Sequence, residues 1–262
     1  MMTKLLALLG ATLLDVSTSF AQEPSPGARA ELAPRGTLRA AINFGNPVLA
    51  QKDPATGAPR GVSVDLAREL GRRLGVPVEL VPFDAAGKVT EAVKAGAWDV
   101  AFVAIDPARA VDIDYSAPYV VIEGAYIVPQ SSPIVGNAGV DRDGVRVVVG
   151  RGSAYDLFLT RELREAKLVR VPTSAAVVDA MVRDGYEAAA GVRQQIESDA
   201  KRVPGVRLLP GRFMVINQAM AIPKGRAEGA RYHAAFVDDA KASGFVAASL
   251  ARHGIEGATV AP

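Results

Sequence analysis

The sequence predicts an α/β protein with two open, mainly parallel sheets, and hence two lobes joined by a two-stranded hinge. Three observations carry this. Short apolar runs alternate with segments of helical period along the chain. The β-α-β-α-β order occurs over residues 38–105 and the same grammar returns from residue 145. The composition, 49% hydrophobic and 22% charged over 262 residues, suits a sizeable core and argues against disorder.

The N-terminus comes first. Met1 to Lys4 carries one positive charge, Leu5 to Leu14 is apolar, and Ser19-Phe20-Ala21 places small residues where a signal peptidase reads. This is the layout of a secretory signal over 1–21, too short to anchor in a bilayer. Gln22 to Arg35, rich in Pro, Gly and Ala, reads as a loose leader. Export into the periplasm as a soluble protein is the expected fate.

Leu38 to Ile42 is a strand, and Asp53 to Gly57 looks like a hairpin tip. Val62, Leu66, Ala67, Leu70 and Leu74 then recur at helical spacing, with Ser63 or Asp65 placed to cap. Val76 to Phe83 is a strand, Val89 to Val93 marks a helix closed by Gly96, and Trp98 to Ile105 is a strand apolar on both faces. In the second half, strands are expected at Val145–Val149, Leu168–Val171, Glu187–Val192 and Gln218–Pro223. Helices are expected at Tyr155–Glu165, at Ser174–Val182 with Thr173 as cap, and at Arg226–Leu250. Tyr126–Pro129 and Gly211–Asn217 are the natural crossings. They divide the chain into a discontinuous first lobe, 22–125 plus 212–262, and a second lobe, 126–211.

Composition narrows the function. Thirty basic and 28 acidic residues are spread along the chain, so nucleic acid is not an expected partner. With no cysteine there is no disulfide, thiol chemistry or thiolate metal site, and two histidines do not suggest a metal cluster or a Ser-His-Asp triad. No cofactor is expected. Open α/β sheets bind ligands beyond the carboxyl ends of their strands. That rule selects Asn43, Phe44 and Asn46, then Asp106 and Arg109, then Gly150, Gly152 and Ser153 ahead of a helix, and finally Arg193 and Gln194. A helix start offers free N–H groups suited to an anion.

Three motifs carry a family resemblance. Gly61-Val62-Ser63-Val64-Asp65-Leu66-Ala67 resembles a Gly-Phe-Asp-x-Asp-Leu-Ala signature. Asp106-Pro107-Ala108-Arg109 followed by Asp114-Tyr115-Ser116-Ala117-Pro118-Tyr119 resembles a Thr-Pro-Glu-Arg and Asp-Phe-Ser-x-Pro-Tyr pair. Ala95 to Val100 is similar to a Gly-x-x-Asp before a strand. These are motifs of the family 3 extracellular solute-binding proteins, periplasmic components of polar amino-acid ABC transporters. The resemblance covers roughly residues 36–255 and implies a type II periplasmic-binding-protein fold that closes on its ligand. It implies a monomer and a membrane permease as partner. By the same resemblance Arg109 binds a ligand carboxylate bidentately, with Ser153 and its helix start adding donors.

The chain also departs from the family pattern. Ala104 stands where many members have Ser or Thr, Ala85 and Ala86 where many have an aromatic, and Gly191-Val192-Arg193 carries no carboxylate for a ligand amine. Glu123 is the alternative amine acceptor or a hinge ion-pair partner; Arg193, if it faces the cleft, favours a second acid group. Trp98, Tyr115 and Tyr119 are expected in the packing, Asp65 as ordering the first helix, and His233 and His253 at the surface. The leading expectation is a transport receptor for an amino acid or related acid, not an enzyme. The alternatives are a cyclohexadienyl-type dehydratase, for which Asp106 and Glu123 are the available acids, and a separate sensory subunit.

Overall fold

The computed structural model describes residues 23–262. The signal expected over 1–21 lies outside the described residues. The leader is not loose throughout: α1 (Pro26–Leu32) starts with proline at its first position, where the missing N–H costs nothing, and Ser25 caps it by accepting from Ala28 N at 3.0 Å. Ala28 and Leu32, one turn apart, are buried.

β1 (Leu38–Asn43) is buried at every position. A small hairpin follows, β2 (Gln51–Lys52) and β3 (Pro59–Arg60), its tip held by Asp53 Oδ1 accepting from Ala55 N and Thr56 N. α2 (Val62–Leu74) buries the apolar stripe the spacing predicts, but neither Ser63 nor Asp65 caps it. Ser63 Oγ lies 3.4 Å from Tyr119 Oη. Asp65 Oδ2 instead accepts from Ser249, Arg252 and His253 near the C-terminus. β4 (Val78–Phe83), α3 (Ala86–Glu91) and β5 (Val100–Ala104) complete the first β-α-β-α-β unit. Trp98 is core, its Nε1 donating to Val89 O at 2.8 Å.

The largest departure from expectation is β6 (Ile113–Pro129), a strand of 17 residues where the sequence marked only a motif and a crossing. The second unit holds β7 (Arg146–Gly150), α4 (Ala154–Glu162), β8 (Lys167–Val171), α5 (Val177–Asp184), β9 (Ala188–Val192), α6 (Arg193–Arg202) and β10 (Val206–Leu208). Thr173 precedes a short 3-10 turn ahead of α5 and makes no side-chain capping bond. β11 (Met214–Pro223) returns the chain to the first half. The long helix expected over 226–250 is two, α7 (Ala227–Ala242) and α8 (Phe245–Arg252), broken at Gly244, whose φ of +78° favours glycine. β12 (Thr259–Val260) closes the chain against β6.

Sheet order is β4-β1-β5-β11-β6-β9-β7-β8. β4, β1 and β5 run parallel in the first half; β9, β7 and β8 run parallel in the second. The two parallel sets are joined through β11, which pairs with β5, and β6, which pairs with β11 up to Gly124 and with β9 from Gly124 onward. The chain thus passes between halves at Gly124 and returns at Met214. Helices pack on both faces, as parallel strands require. One face of the second half buries Val148, Val178, Met181, Ala189 and Ile196 together. Trp98, Val89 and Val103 fill one face of the first. Among the described residues no helix is long and apolar enough to cross a membrane. His233 and His253, expected at the surface, are not there: His233 is buried with Nδ1 3.2 Å from Gly229 O, and His253 lies 2.9 Å from Asp65.

Candidate functional site

The carboxyl ends of β1 and β5 face those of β7 and β9, and a cavity of about 30 Å³ lies between them. Its polar lining is Asn43 at the end of β1 and Asn46 after it, Arg109 after β5, Ser153 and Tyr155 at the start of α4, Ser174, and Gln218 on β11. Apolar lining comes from Ala86, Val103, Ala104, Ala154, Val192 and Ile216.

Arg109 dominates the site. Asp106 shapes the turn that delivers it: Asp106 Oδ1 accepts from Ala108 N at 2.9 Å and Asp106 O from Arg109 N at 3.1 Å. The residue is 6% exposed. Nη1 donates to Ala104 O at 2.9 Å, and Nη2 reaches across to Gly152 O of the second half at 2.8 Å. Nε has no partner among the described residues. Among the described residues no carboxylate pairs with the guanidinium, and burial lowers its pKa from the ordinary arginine value. A guanidinium buried against carbonyls alone is an uncompensated cation, a costly state.

The second half presents a helix start. Ser153 Oγ caps α4 by accepting from Asp156 N at 3.0 Å. The first N–H groups of a helix have no intrahelical acceptor, and the positive end of its dipole lies there. Gly152 has φ +67°, and a Cβ there would stand 2.7 Å from Gly87 Cα of the first half. The absence of a side chain lets the two backbones meet. Tyr155 Oη donates to Ser174 Oγ at 2.8 Å, and burial raises its pKa, so it stays a neutral phenol. Asn43 Oδ1 accepts from Gly45 N at 2.9 Å and Asn46 Oδ1 from Val48 N at 3.3 Å, which commits both amide oxygens and leaves the amide nitrogens as donors.

Of the residues chosen from sequence, Asn43, Asn46, Arg109 and Ser153 line one cavity and Gly152 abuts it. Asp106 does not line it. Asp106 is buried in an ion pair with Arg161 at 2.9 Å, which also bridges the halves. Phe44 does not line it either; it packs on the core with Lys52 Nζ 5.4 Å from the ring centroid. Glu123 and Arg193 face each other at 2.9 Å away from the cavity, and Arg212 adds a second contact to Glu123 at 2.7 Å. The Arg212 and Arg193 hydrogen bonds hold the Glu123 carboxyl below the usual carboxylate range. Arg193 instead borders an open groove of about 520 Å³ beside Pro47, Gln194 and Lys201. Tyr155, Ser174 and Gln218 are additional. Gln218 carried the clearest signal, a polar residue opening the apolar run Ala219 to Ile222 and buried in a strand.

Residues 38–254 match the bacterial extracellular solute-binding proteins, family 3. No curated protein sequence matches the chain. Among solved structures, the solute receptor for L-cysteine of Neisseria gonorrhoeae is similar at TM-score 0.75 and 24% identity, covering 87% of this chain and 94% of that one. A mutant of the arginine-binding protein ArgBP from T. maritima has TM-score 0.74 and 20% identity, covering 87% and 100%. An ancestral amino acid-binding protein, a precursor of cyclohexadienyl dehydratase, has TM-score 0.71 and 23% identity, covering 86% and 97%.

Proposed function

The chain belongs to the bacterial extracellular solute-binding proteins of family 3, and from that premise we propose that it is the capture receptor of an ABC importer, working in the periplasm on a small carboxylate-bearing solute. Of the described residues, 23–125 with 212–262 form one lobe and 126–211 the other, and the strands at Gly124 and Met214 serve as the hinge. One observation carries the reading: Arg109, buried between the halves without a counter-ion among the described residues, needs an anion whose two oxygens match its fork.

Ser153, the α4 N–H groups and the amide nitrogens of Asn43 and Asn46 supply further donors to that anion. Contacts that join the halves, Arg109 to Gly152 O and Asp106 to Arg161, stabilise the closed form. A ligand bridging both halves shifts the population toward closure, and the permease reads that closure. The dehydratase reading is less well supported. Its two candidate acids, Asp106 and Glu123, are held in ion pairs, and among the described residues no carboxylate or imidazole lines the cavity to act as acid or base.

Calorimetric titration with short carboxylic acids and their primary amides tests the carboxylate. The acids are expected to bind, the uncharged amides not, and Arg109→Ala to abolish the difference. Equal binding of acid and amide removes Arg109 from the role given it.

A further inference from the structure

We propose that the captured solute is an amine-free monocarboxylate of few carbon atoms, a hydroxy or oxo acid in place of an amino acid; this rests on the carboxylate role of Arg109 argued above. Charge is the first argument. Arg109 is the one charged side chain lining the cavity among the described residues. The nearby carboxylates are already matched: Asp106 by Arg161, Asp156 by Arg170 at 2.9 Å, and Glu123 by Arg193 and Arg212. The cavity therefore holds one uncompensated positive charge. A monoanion neutralises it. A zwitterion brings an ammonium of its own, leaves the site as positive as before, and buries that ammonium without an anion, which is costly.

Hydrogen-bond polarity is the second argument, and it is independent of net charge. An ammonium presents three donors and needs acceptors. The cavity offers mostly donors: Arg109 Nε, the amide nitrogens of Asn43 and Asn46, and the first N–H groups of α4. Its oxygens are already engaged: Ala104 O accepts from Arg109 and Tyr115, Gly152 O from Arg109, and Ser174 Oγ from Tyr155. The Gln218 amide, buried on β11, suits a hydroxyl or a carbonyl oxygen equally, since it carries both a donor and an acceptor.

Size and the placement of Arg193 give the remaining limits. The cavity is small, about 30 Å³ where one water requires about 10–15 Å³ by the same measure, which favours a short acid over a long one. A second carboxylate finds no second cation, because Arg193 is committed to Glu123 outside the cavity. Short walls of Ala86, Val103 and Val192 suit a short aliphatic stem.

Two matched triads test this by calorimetry on the protein: L-alanine, L-lactate and pyruvate, then L-valine, 2-hydroxyisovalerate and 2-oxoisovalerate. Within a triad the carboxylate and skeleton are constant, and only the ammonium changes to a hydroxyl or an oxo group. The hydroxy or oxo member is expected to bind at least about 100-fold tighter than the amino member, the penalty of a buried unmatched charge. Tighter binding of the amino member overturns the inference and leaves the Arg109 reading standing. Binding of no member overturns both. Gln218→Glu supplies the missing anion and is expected to narrow the ratio at least about tenfold. An unchanged ratio in a folded Gln218→Glu protein overturns the charge argument.

Discussion

Two arginines are buried at opposite ends of the same parallel strands, and they are treated in opposite ways. At the amino end of β1, Arg39 is 9% exposed and sits against Asp99, which is fully buried. Nε and Nη2 donate to the two Asp99 oxygens at 2.9 and 2.8 Å, and Nη1 donates to Gly96 O at 2.6 Å. The hydrogen bond to Asp99 raises the Arg39 pKa despite the opposing effect of burial. At the carboxyl end, after β5, Arg109 is buried as deeply, finds only two carbonyls, and has its pKa lowered. The first arginine has its anion in the chain. The second has the same fork and, among the described residues, no anion. The contrast teaches that burial of a cation does not mark a site; burial without a matched anion does.

The largest expected effect breaks the satisfied end. Asp99→Ala leaves Arg39 buried and unmatched, and is expected to lower unfolding stability by about 3–5 kcal/mol, read by urea denaturation. A loss below about 1 kcal/mol would show that the protein tolerates unmatched buried cations anywhere, and the contrast with Arg109 would lose its meaning.

Arg109→Met probes the other end and should show the reverse pattern. The ligand-free protein is expected to unfold at the same denaturant concentration or a higher one, because an uncompensated cation has been replaced by apolar volume. Affinity for the acids is expected to fall by about 2–5 kcal/mol. Equal loss of stability in Arg109→Met and Asp99→Ala would make both arginines structural.

The smallest effect concerns an ion pair nearer solvent. Glu69 on α2 accepts from Arg72 and Arg73, with the Arg72 bond the larger cause, and its pKa falls from an ordinary 4.5 to about 2. The folded value lies below the unfolded one. The stabilisation is therefore complete above about pH 4.5 and is lost as pH falls toward about 2. Glu69→Gln should flatten that acid limb of the melting-temperature profile and leave ligand affinity at neutral pH unchanged. A mutant whose acid limb matches the parent's would assign acid sensitivity elsewhere.

Part of this architecture is legible in the residue pattern, and the rest is hidden for identifiable reasons. β1, β5 and β7 read directly, because continuous apolar runs leave little alternative once helical segments flank them. β6 does not read as one strand. Its first part carries Asp114, Ser116 and Pro118, its middle carries Glu123 and Gly124, and its two ends belong to different neighbours. α6 escapes because Ile196 is its one buried apolar residue, so it has almost no stripe. α1 escapes because Pro and Gly suggest loop unless Pro26 is placed at a helix start.

The cavity shows the same division. Asn43, Asn46, Arg109 and Ser153 follow from the rule about strand ends, which needs only the order of elements. Gln218, Tyr155 and Ser174 depend on which way a strand or helix faces, and that is set by partners distant in sequence. The ion pair of Glu123 with Arg193 joins residues 70 positions apart, and no local pattern announces it.

The long strand β6 also bears on how the protein is made. Its first part waits for β11 as neighbour, and β11 is synthesised only after the whole second half. The final pairing, Thr259 and Val260 with Val121 and Val120, comes later still. At ordinary translation rates of about 5–20 residues per second, the first-half sheet lacks a central strand for several seconds. The second half, by contrast, is contiguous and gains its partners as it emerges. Strand order thus sets a folding order: the first sheet is completed only after the second half has been made.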